Sequence, residues 1–531
     1  MATVDSLTKT SFDYCIVGGG TAGCVIASRL ATYLPHAKIL LIEAGPSDLN
    51  LPQVLNLRKW LTLLGGEFDF DYGTTEQARG NSHIRHSRAK LLGGCSSHNT
   101  LISYRPFRRD MEEWESLGAA GWSFKEMTRA LDRLRNNVTP IHPRHRNQLV
   151  KDWIKSASTA LDIPIIDDFN ATIRRDGQFK SGTGFFSISY NPEDNSRSSA
   201  SVAYIHPILK GEEHRPNLTI VTNAWVSKIN FDDSMTARSL DVKLASGESL
   251  KVHARTEIIL CAGAIDTPRL LLHSGVGPKA QLDSLEMPVL LDAPGVGKNL
   301  QDHPESIIMF EMNRPVPQET TMDSDAGVFI CTDGGKSADV MMHCYQIPFT
   351  LNTARLGYDT PTHAFCMTPN IPRSQSRGQV YLTSSDPSVK PALDFKYFED
   401  EENYDEKIII QGLKAARKIA AQAPFSEWIK REVAPGPSVQ TDEELGVYGR
   451  QVAHTVYHPA GTCKMGSGSD ASAVTTPDLK VKGTRHLRIA DASVFPSMVS
   501  INPMLTVLGI GERCAEFIAE EAGWARDTAR L

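Results

Sequence analysis

The residue types best suited to chemistry crowd into one stretch, residues 88–104, RAKLLGGCSSHNTLISY. Two glycines, small hydroxyl residues, a cysteine and one imidazole suit backbone pressed against a flat ligand better than they suit a packed core. His98 is the residue to explain. Two readings stand open from these residues alone: a buried histidine satisfied by backbone, or an imidazole bonded to a cofactor.

The elements that must position such a ligand are read from the N-terminal segment. Tyr14-Cys15-Ile16-Val17 is a short apolar run of buried-strand type, and it enters Gly18-Gly19-Gly20-Thr21-Ala22-Gly23, which contains G-x-G-x-x-G. Gly18 permits the tight turn, Gly20 lets backbone approach a pyrophosphate, and Gly23 lets the following helix sit close to the strand. That helix, expected over 22–33 with Thr21 and Ala22 at its start, aims its amides at the phosphates. A second strand, 38–42, ends at Glu43, twenty residues after Gly23, where a carboxylate accepts the adenosine ribose hydroxyls. The unit fits NAD or FAD and does not choose between them.

At 531 residues the chain exceeds the roughly 250–300 that one core reaches, which predicts two domains. A net charge of −6 with scattered basic residues gives no general attraction to nucleic acid or anionic membrane. Nine cysteines without a C-x-x-C pair argue against a disulfide framework and a structural zinc site. His142 and His145 sit in a loop without further ligands at useful spacing, so no metal is expected. The start, MATVDSLTKTSFD, lacks the design of a secretory signal, and no apolar run approaches the ~18–20 residues that cross a bilayer. A soluble intracellular protein in a reducing compartment is predicted.

Further along, Leu57, Trp60, Leu61 and Leu64 share one face of a short helical segment. Helices are predicted from 110, over 123–137, from 151 and over 405–422, with a boundary at 137–147. The segment 217–232 alternates like a strand pair, and 257–261 is a buried strand running into Gly263. GAIDTPRLLLHSGVG then reads as a turn and a helix started by Pro268. Segments 339–342 and 380–383 are extended. The expected architecture is a Rossmann-like α/β domain (1–150, 195–304 and 456–531) interleaved with an α+β domain of antiparallel sheet plus helices (151–194 and 305–455) that holds the substrate.

The glycine fingerprint, RAKLLGGCSSHN, GAIDTPRLLLHSGVG and the C-terminal HPAGTCKMG and INPMLTV together resemble the glucose-methanol-choline (GMC) oxidoreductases over nearly the whole chain. The Gly263 element fits that family's second signature at each defined position. The first signature is departed from at Cys95, where a small Gly, Ser or Thr is usual, and at His98, where an aliphatic residue is usual. With QDHPE, VYHPAGT and GERCA, these departures resemble the choline-oxidising branch.

The resemblance implies FAD, covalently attached from an imidazole nitrogen of His98 to the flavin 8-methyl carbon. It carries further cofactor contacts onto Gly93, Gly94, Cys95, Asn99, Val226, Asp491, Ala492, Asn502, Pro503 and Thr506. His458 and Asn502, 44 positions apart, correspond to the catalytic pair near flavin N5. Hydride leaves a carbinol easily only as the hydroxyl proton leaves, so an imidazole serves as base. Asn502 holds the substrate oxygen. Glu305 and His343 correspond to residues that hold a trimethylammonium group and stabilise an alkoxide. Trp60, Phe349 and Tyr457 occupy matching aromatic positions, where cation–π attraction reaches ~2 kcal/mol. Thr100 matches a serine close to the flavin.

The implied reaction is oxidation of choline through the aldehyde to glycine betaine in two turnovers, with O2 reduced to hydrogen peroxide. A dehydrogenase using another acceptor, action on a related amino alcohol, and a hydroxynitrile lyase stand as alternatives. Thr320-Thr321-Met322-Asp323-Ser324-Asp325 carries no aromatic residue where relatives place tryptophans, and its two acids read as solvated at a loop tip. The oligomeric state, homodimer included, is undecided. Ala529-Arg530-Leu531 resembles the Ser-Lys-Leu address read by the peroxisomal import receptor; without it the protein is cytoplasmic.

Overall fold

A computed structural model of the chain describes residues 7, 10–332, 334–335 and 337–525, so Ala529-Arg530-Leu531 lies outside the described residues. Two sheets organise it. In the first, the strands run Ala224–Phe231, Ala237–Leu244, Ser249–Leu260, Phe12–Val17, Ile39–Ile42, Leu218–Val221, with Leu487–Ile489 also pairing Ser249–Leu260. The Phe12–Val17, Ile39–Ile42, Leu218–Val221 and Leu487–Ile489 pairings are parallel. The three strands from 224 to 260 pair antiparallel.

The strand Ser249–Leu260 joins the two regimes, and its sequence shows how. SLKVHAR alternates exposed and buried, as one wetted sheet face demands, whereas the final EIIL is buried throughout. The latter half is covered on both faces.

Helix Thr21–Tyr33 follows the first strand so closely that a Cβ at Gly23 would stand 2.0 Å from the Gly18 carbonyl oxygen. Only glycine permits that approach. The apolar helix Met504–Glu521 packs on the same helix.

The second sheet runs Ile429–Ala434, Ile308–Met312, Ala364–Asn370, Val340–Tyr345, Ala326–Ile330, Gly182–Phe185, all antiparallel. Pro304–Glu305 and His454–Thr455 pair beside it. Helices Gln148–Leu161 and Tyr404–Ala420 pack on this sheet.

Several expectations change. The segment Leu57–Leu63 is a 3-10 helix, so the buried residues are Leu57, Trp60 and Leu63, while Leu61 is 39% exposed. Three residues per turn, rather than 3.6, move the apolar face. The helix expected over 123–137 is Phe124–Leu131, because Val138–Pro140 is taken into a small sheet with Ser187–Asn191. Leu218–Val221 and Ala224–Phe231 are both strands but lie at opposite edges of one sheet. The chain crosses between them over the end of Ile39–Ile42, where the Ala224 amide donates to the Glu43 carbonyl at 2.9 Å.

Pro268 does not start its helix; Gly263–His273 contains it. A proline there leaves the Ala264 carbonyl without its helical donor. Thr462 Oγ1 supplies the replacement, donating to Ala264 O at 2.6 Å.

Candidate active site

One cavity runs from the glycine turn of the first sheet to the face of the second. At the first end, Gly18, Gly20, Thr21, Ala22 and Glu43 line it. Gly20 caps the helix Thr21–Tyr33 without a side-chain bond, leaving amides for an anion. Glu43 is held by the Gly19 amide at 2.8 Å and the Gly45 amide at 2.9 Å, and burial pushes its carboxyl up to about 7. A Cβ at Gly94 would meet Gly20 Cα at 2.6 Å, so the 88–104 stretch lies directly against the turn.

Cys95, His98, Asn99 and Thr100 line the middle, with Val226, Asp491 and Ala492. Asp491 is already occupied: it accepts from the Gly263 and Ser493 amides and from Thr267 Oγ1 at 2.6 Å. The His98 ring is buried, with Nε2 2.9 Å from Leu63 O and Nδ1 3.4 Å from Ser87 Oγ. Burial lowers its pKa to about 4 against the opposing pull of Asp69.

At the far end stand His458, Asn502, Pro503 and His343. His458 takes its place from the loop after His454–Thr455, where its amide donates to Asp302 Oδ1 at 2.9 Å. Tyr397 and Thr455 hydroxyls hold Asp302 Oδ2, both at 2.6 Å. Tyr457 just before it adopts φ 63°, a left-handed conformation uncommon for a bulky residue. His458 Nδ1 is 2.9 Å from His303 Nδ1, and His303 Nε2 is 3.0 Å from Val499 O. Burial, then His303, holds the His458 pKa well below its usual value. Asn502 Oδ1 is buried without a partner among the described residues.

An aromatic wall closes this end. Trp60 and Tyr345 rings lie 6.3 Å apart, Tyr345 stacks on Phe349 at 5.1 Å, and Phe349 meets His454 at 5.5 Å. His454 in turn meets Tyr457 edge-on at 5.3 Å. Trp60 Nε1 donates to Met322 O at 2.8 Å, so the loop lacking an aromatic residue orients this wall through a carbonyl. Asp325 is not solvated at a tip, whereas Asp323 is half-buried. Asp325 is fully buried, accepting from Thr321 N at 3.2 Å and Gln346 Nε2 at 3.1 Å, and burial pushes it up to about 6; Asp323 is also raised by burial.

Four expected residues do not line the cavity. Gly23 packs helix on strand, and Gly93, at φ 88°, turns the chain beside Ser97 and Ser201. Thr506 Oγ1 is buried without a partner among the described residues. Glu305 is buried, with Oε2 4.0 Å from His343 Nδ1, and burial raises its pKa. Neither Glu305 Oε2 nor either ring nitrogen of His343 has a hydrogen-bond partner among the described residues.

His303 and Tyr345 escaped sequence reading. For Tyr345 the signal was present: it lies two positions beyond His343 on the strand Val340–Tyr345, hence on the same face. His303 required a contact across 155 positions.

A parallel-sheet nucleotide turn sharing its cavity with a neutral imidazole and an unpaired amide oxygen defines a dinucleotide-dependent redox enzyme. The particular family follows from comparison. The GMC oxidoreductase family models match residues 12–305 and 374–511, and the chain belongs to the GMC oxidoreductases, which are FAD-dependent. It is 41% identical to choline oxidase of Arthrobacter globiformis, over 99% of this chain and 97% of that protein. Identity to the mitochondrial choline dehydrogenase of Homo sapiens is 29%, over 99% and 93%. Among solved structures, pyridoxine 4-oxidase from Mesorbium loti superposes with TM-score 0.87 at 26% identity, covering 95% of this chain and 99% of that one. The chain is an FAD-dependent alcohol oxidase by this kinship, and the uncapped helix, the Gly20–Gly94 contact and the unpaired Asn502 amide fit that cofactor. Among the described residues no helix is long and apolar enough to cross a membrane.

Proposed function

We propose that the chain oxidises choline, through betaine aldehyde, to glycine betaine, with O2 as electron acceptor and hydrogen peroxide as product. The carrying observation is the buried Glu305 carboxylate, with an oxygen that no described group satisfies, 4.0 Å from His343, whose ring lines the cavity together with Tyr345 and Tyr457. A buried carboxylate with an unsatisfied oxygen is costly, and a quaternary ammonium beside aromatic rings relieves it. The similarity to choline oxidase supports the same substrate.

When bound, FAD supplies the hydride acceptor. The protein residues do the rest. Val499 O accepts only, so His303 Nε2 carries a proton and His303 Nδ1 accepts one from His458 Nδ1. His458 Nε2 keeps its lone pair and takes the substrate hydroxyl proton. Asn502 donates its amide to the same oxygen, and His343 stabilises the alkoxide. The aldehyde hydrate offers a new hydroxyl to the same groups. The strands 12–42, 218–260 and 487–489 support the cofactor, and the antiparallel sheet supports the substrate, in keeping with the interleaved division of the chain.

His98 is proposed as the covalent attachment point. Ala529-Arg530-Leu531 is proposed as a peroxisomal address, suited to an enzyme that makes peroxide; a fluorescent fusion that stays cytosolic would exclude it.

Oxygen uptake matched to choline consumed tests the activity. Dye reduction without oxygen uptake would favour a dehydrogenase. Failure of choline to bleach the flavin anaerobically would exclude hydride transfer.

A further inference from the structure

Beneath His98 lies a carboxylate that the oxidation of alcohol does not use. The Asp69 side chain is fully buried. Its Oδ1 accepts from the Asp71 and Arg88 amides, each at 2.8 Å, and its Oδ2 from the Gly65 amide at 2.7 Å and Ser87 Oγ at 2.5 Å. Asp69 Oδ2 is 4.0 Å from His98 Nε2.

The proton count around the ring is unusual. Ser87 has one hydroxyl proton, and the carboxylate oxygen 2.5 Å away claims it, so Ser87 presents a lone pair to His98 Nδ1 at 3.4 Å. Leu63 O, at 2.9 Å from Nε2, can only accept. Both ring nitrogens therefore face acceptors. A neutral imidazole satisfies one of them, and a cationic ring satisfies both. Burial and the Arg197 and Arg88 charges oppose that charge at rest, while Asp69 and the Leu63 carbonyl favour it. Positive charge appears on an imidazole when one nitrogen commits its lone pair to carbon.

We propose that Asp69, acting through Ser87, accepts the imidazole proton as the chain attaches its own flavin at His98. The proposal rests on the covalent role of His98. In the reaction an N–C bond replaces one imidazole N–H bond and one C–H bond of the flavin 8-methyl group. The two electrons and two protons released reduce the flavin ring, and O2 then takes them as hydrogen peroxide, restoring the oxidised cofactor. If Nε2 takes the carbon, the Nδ1 proton passes to Ser87 as Ser87 gives its own to Asp69. Asp69 is thus a positioning and proton-accepting residue for cofactor attachment, distinct from His458.

The test uses the full-length protein incubated with FAD in air, with the flavin that stays with acid-precipitated polypeptide followed in time. Asp69→Asn should still bind FAD but form the covalent product about 100-fold more slowly, the scale of a lost general base. Ser87→Ala should be slowed as well, and Ser87→Thr, which keeps the hydroxyl, should restore the rate. Covalent incorporation at the wild-type rate in Asp69→Asn or Ser87→Ala would overturn the proposal. If Asp69→Asn is recovered without flavin, the Ser87→Ala and Ser87→Thr pair decides. Acid-released flavin from the wild type would instead remove the His98 bond itself, an outcome readily told apart from a defect confined to the variants.

Discussion

His303 and His458 meet Nδ1 to Nδ1 at 2.9 Å, and the Val499 carbonyl, 3.0 Å from the far nitrogen of His303, determines which of them donates. A backbone carbonyl cannot give a proton, so the direction of the pair is set by the chain. His458 is held as the tautomer whose Nε2 can act as a base.

Replacing His303 by Ala should therefore lower kcat/KM about 100-fold without loss of flavin, because His458 loses the acceptor that fixes its tautomer. Flavin absorbance and steady-state kinetics check both halves. Unchanged kcat/KM would assign His303 to packing alone.

Glu305→Gln keeps size and removes charge. Loss of about 2 kcal/mol of charge-pair attraction corresponds to a roughly 30-fold weaker kcat/KM for choline. The neutral isostere 3,3-dimethylbutanol should be affected much less. Equal losses for both alcohols would place the cation elsewhere.

Thr462→Val should destabilise the fold by about 1–3 kcal/mol, since it strands the buried Ala264 carbonyl that Pro268 leaves without a helical donor. The denaturant midpoint reads this directly. Pro268→Ala in the Thr462→Val background should recover part of the loss by restoring the helical donor.

Stability should fall on the acid side in a defined window. His303 and His454 are buried with pKa values lowered by burial to about 4, from an ordinary 6.5. The unfolded chain binds these protons more tightly than the folded one, so their contribution is complete above pH 6.5 and is lost as pH falls towards 4. Denaturant midpoints measured across that window should decline, and His454→Gln should flatten the slope.

Much of the cofactor half was legible in the chain itself. The strand, glycine turn, helix and Glu43 follow one another locally, and each answers to a constraint on its own neighbours: apolar runs for buried strands, and Gly23 for a 2.0 Å approach. The motif stretches likewise pointed to His98, His458 and Asn502, which the fold brings to one cavity, and the family models match the chain as a whole. Tertiary structure decided what depends on partners distant in sequence. Leu218–Val221 and Ala224–Phe231 read as a pair, yet the crossing over Glu43 sends them to opposite edges. Asp325 reads as a polar loop residue, yet Thr321 and Gln346 bury it. The tautomer of His458 rests on His303 and, through it, on Val499; the surroundings of His98 rest on Leu63, Ser87 and Asp69. Periodicity and turn chemistry act over a few residues, whereas a proton's position is set by whichever donors and acceptors the fold brings within about 3 Å.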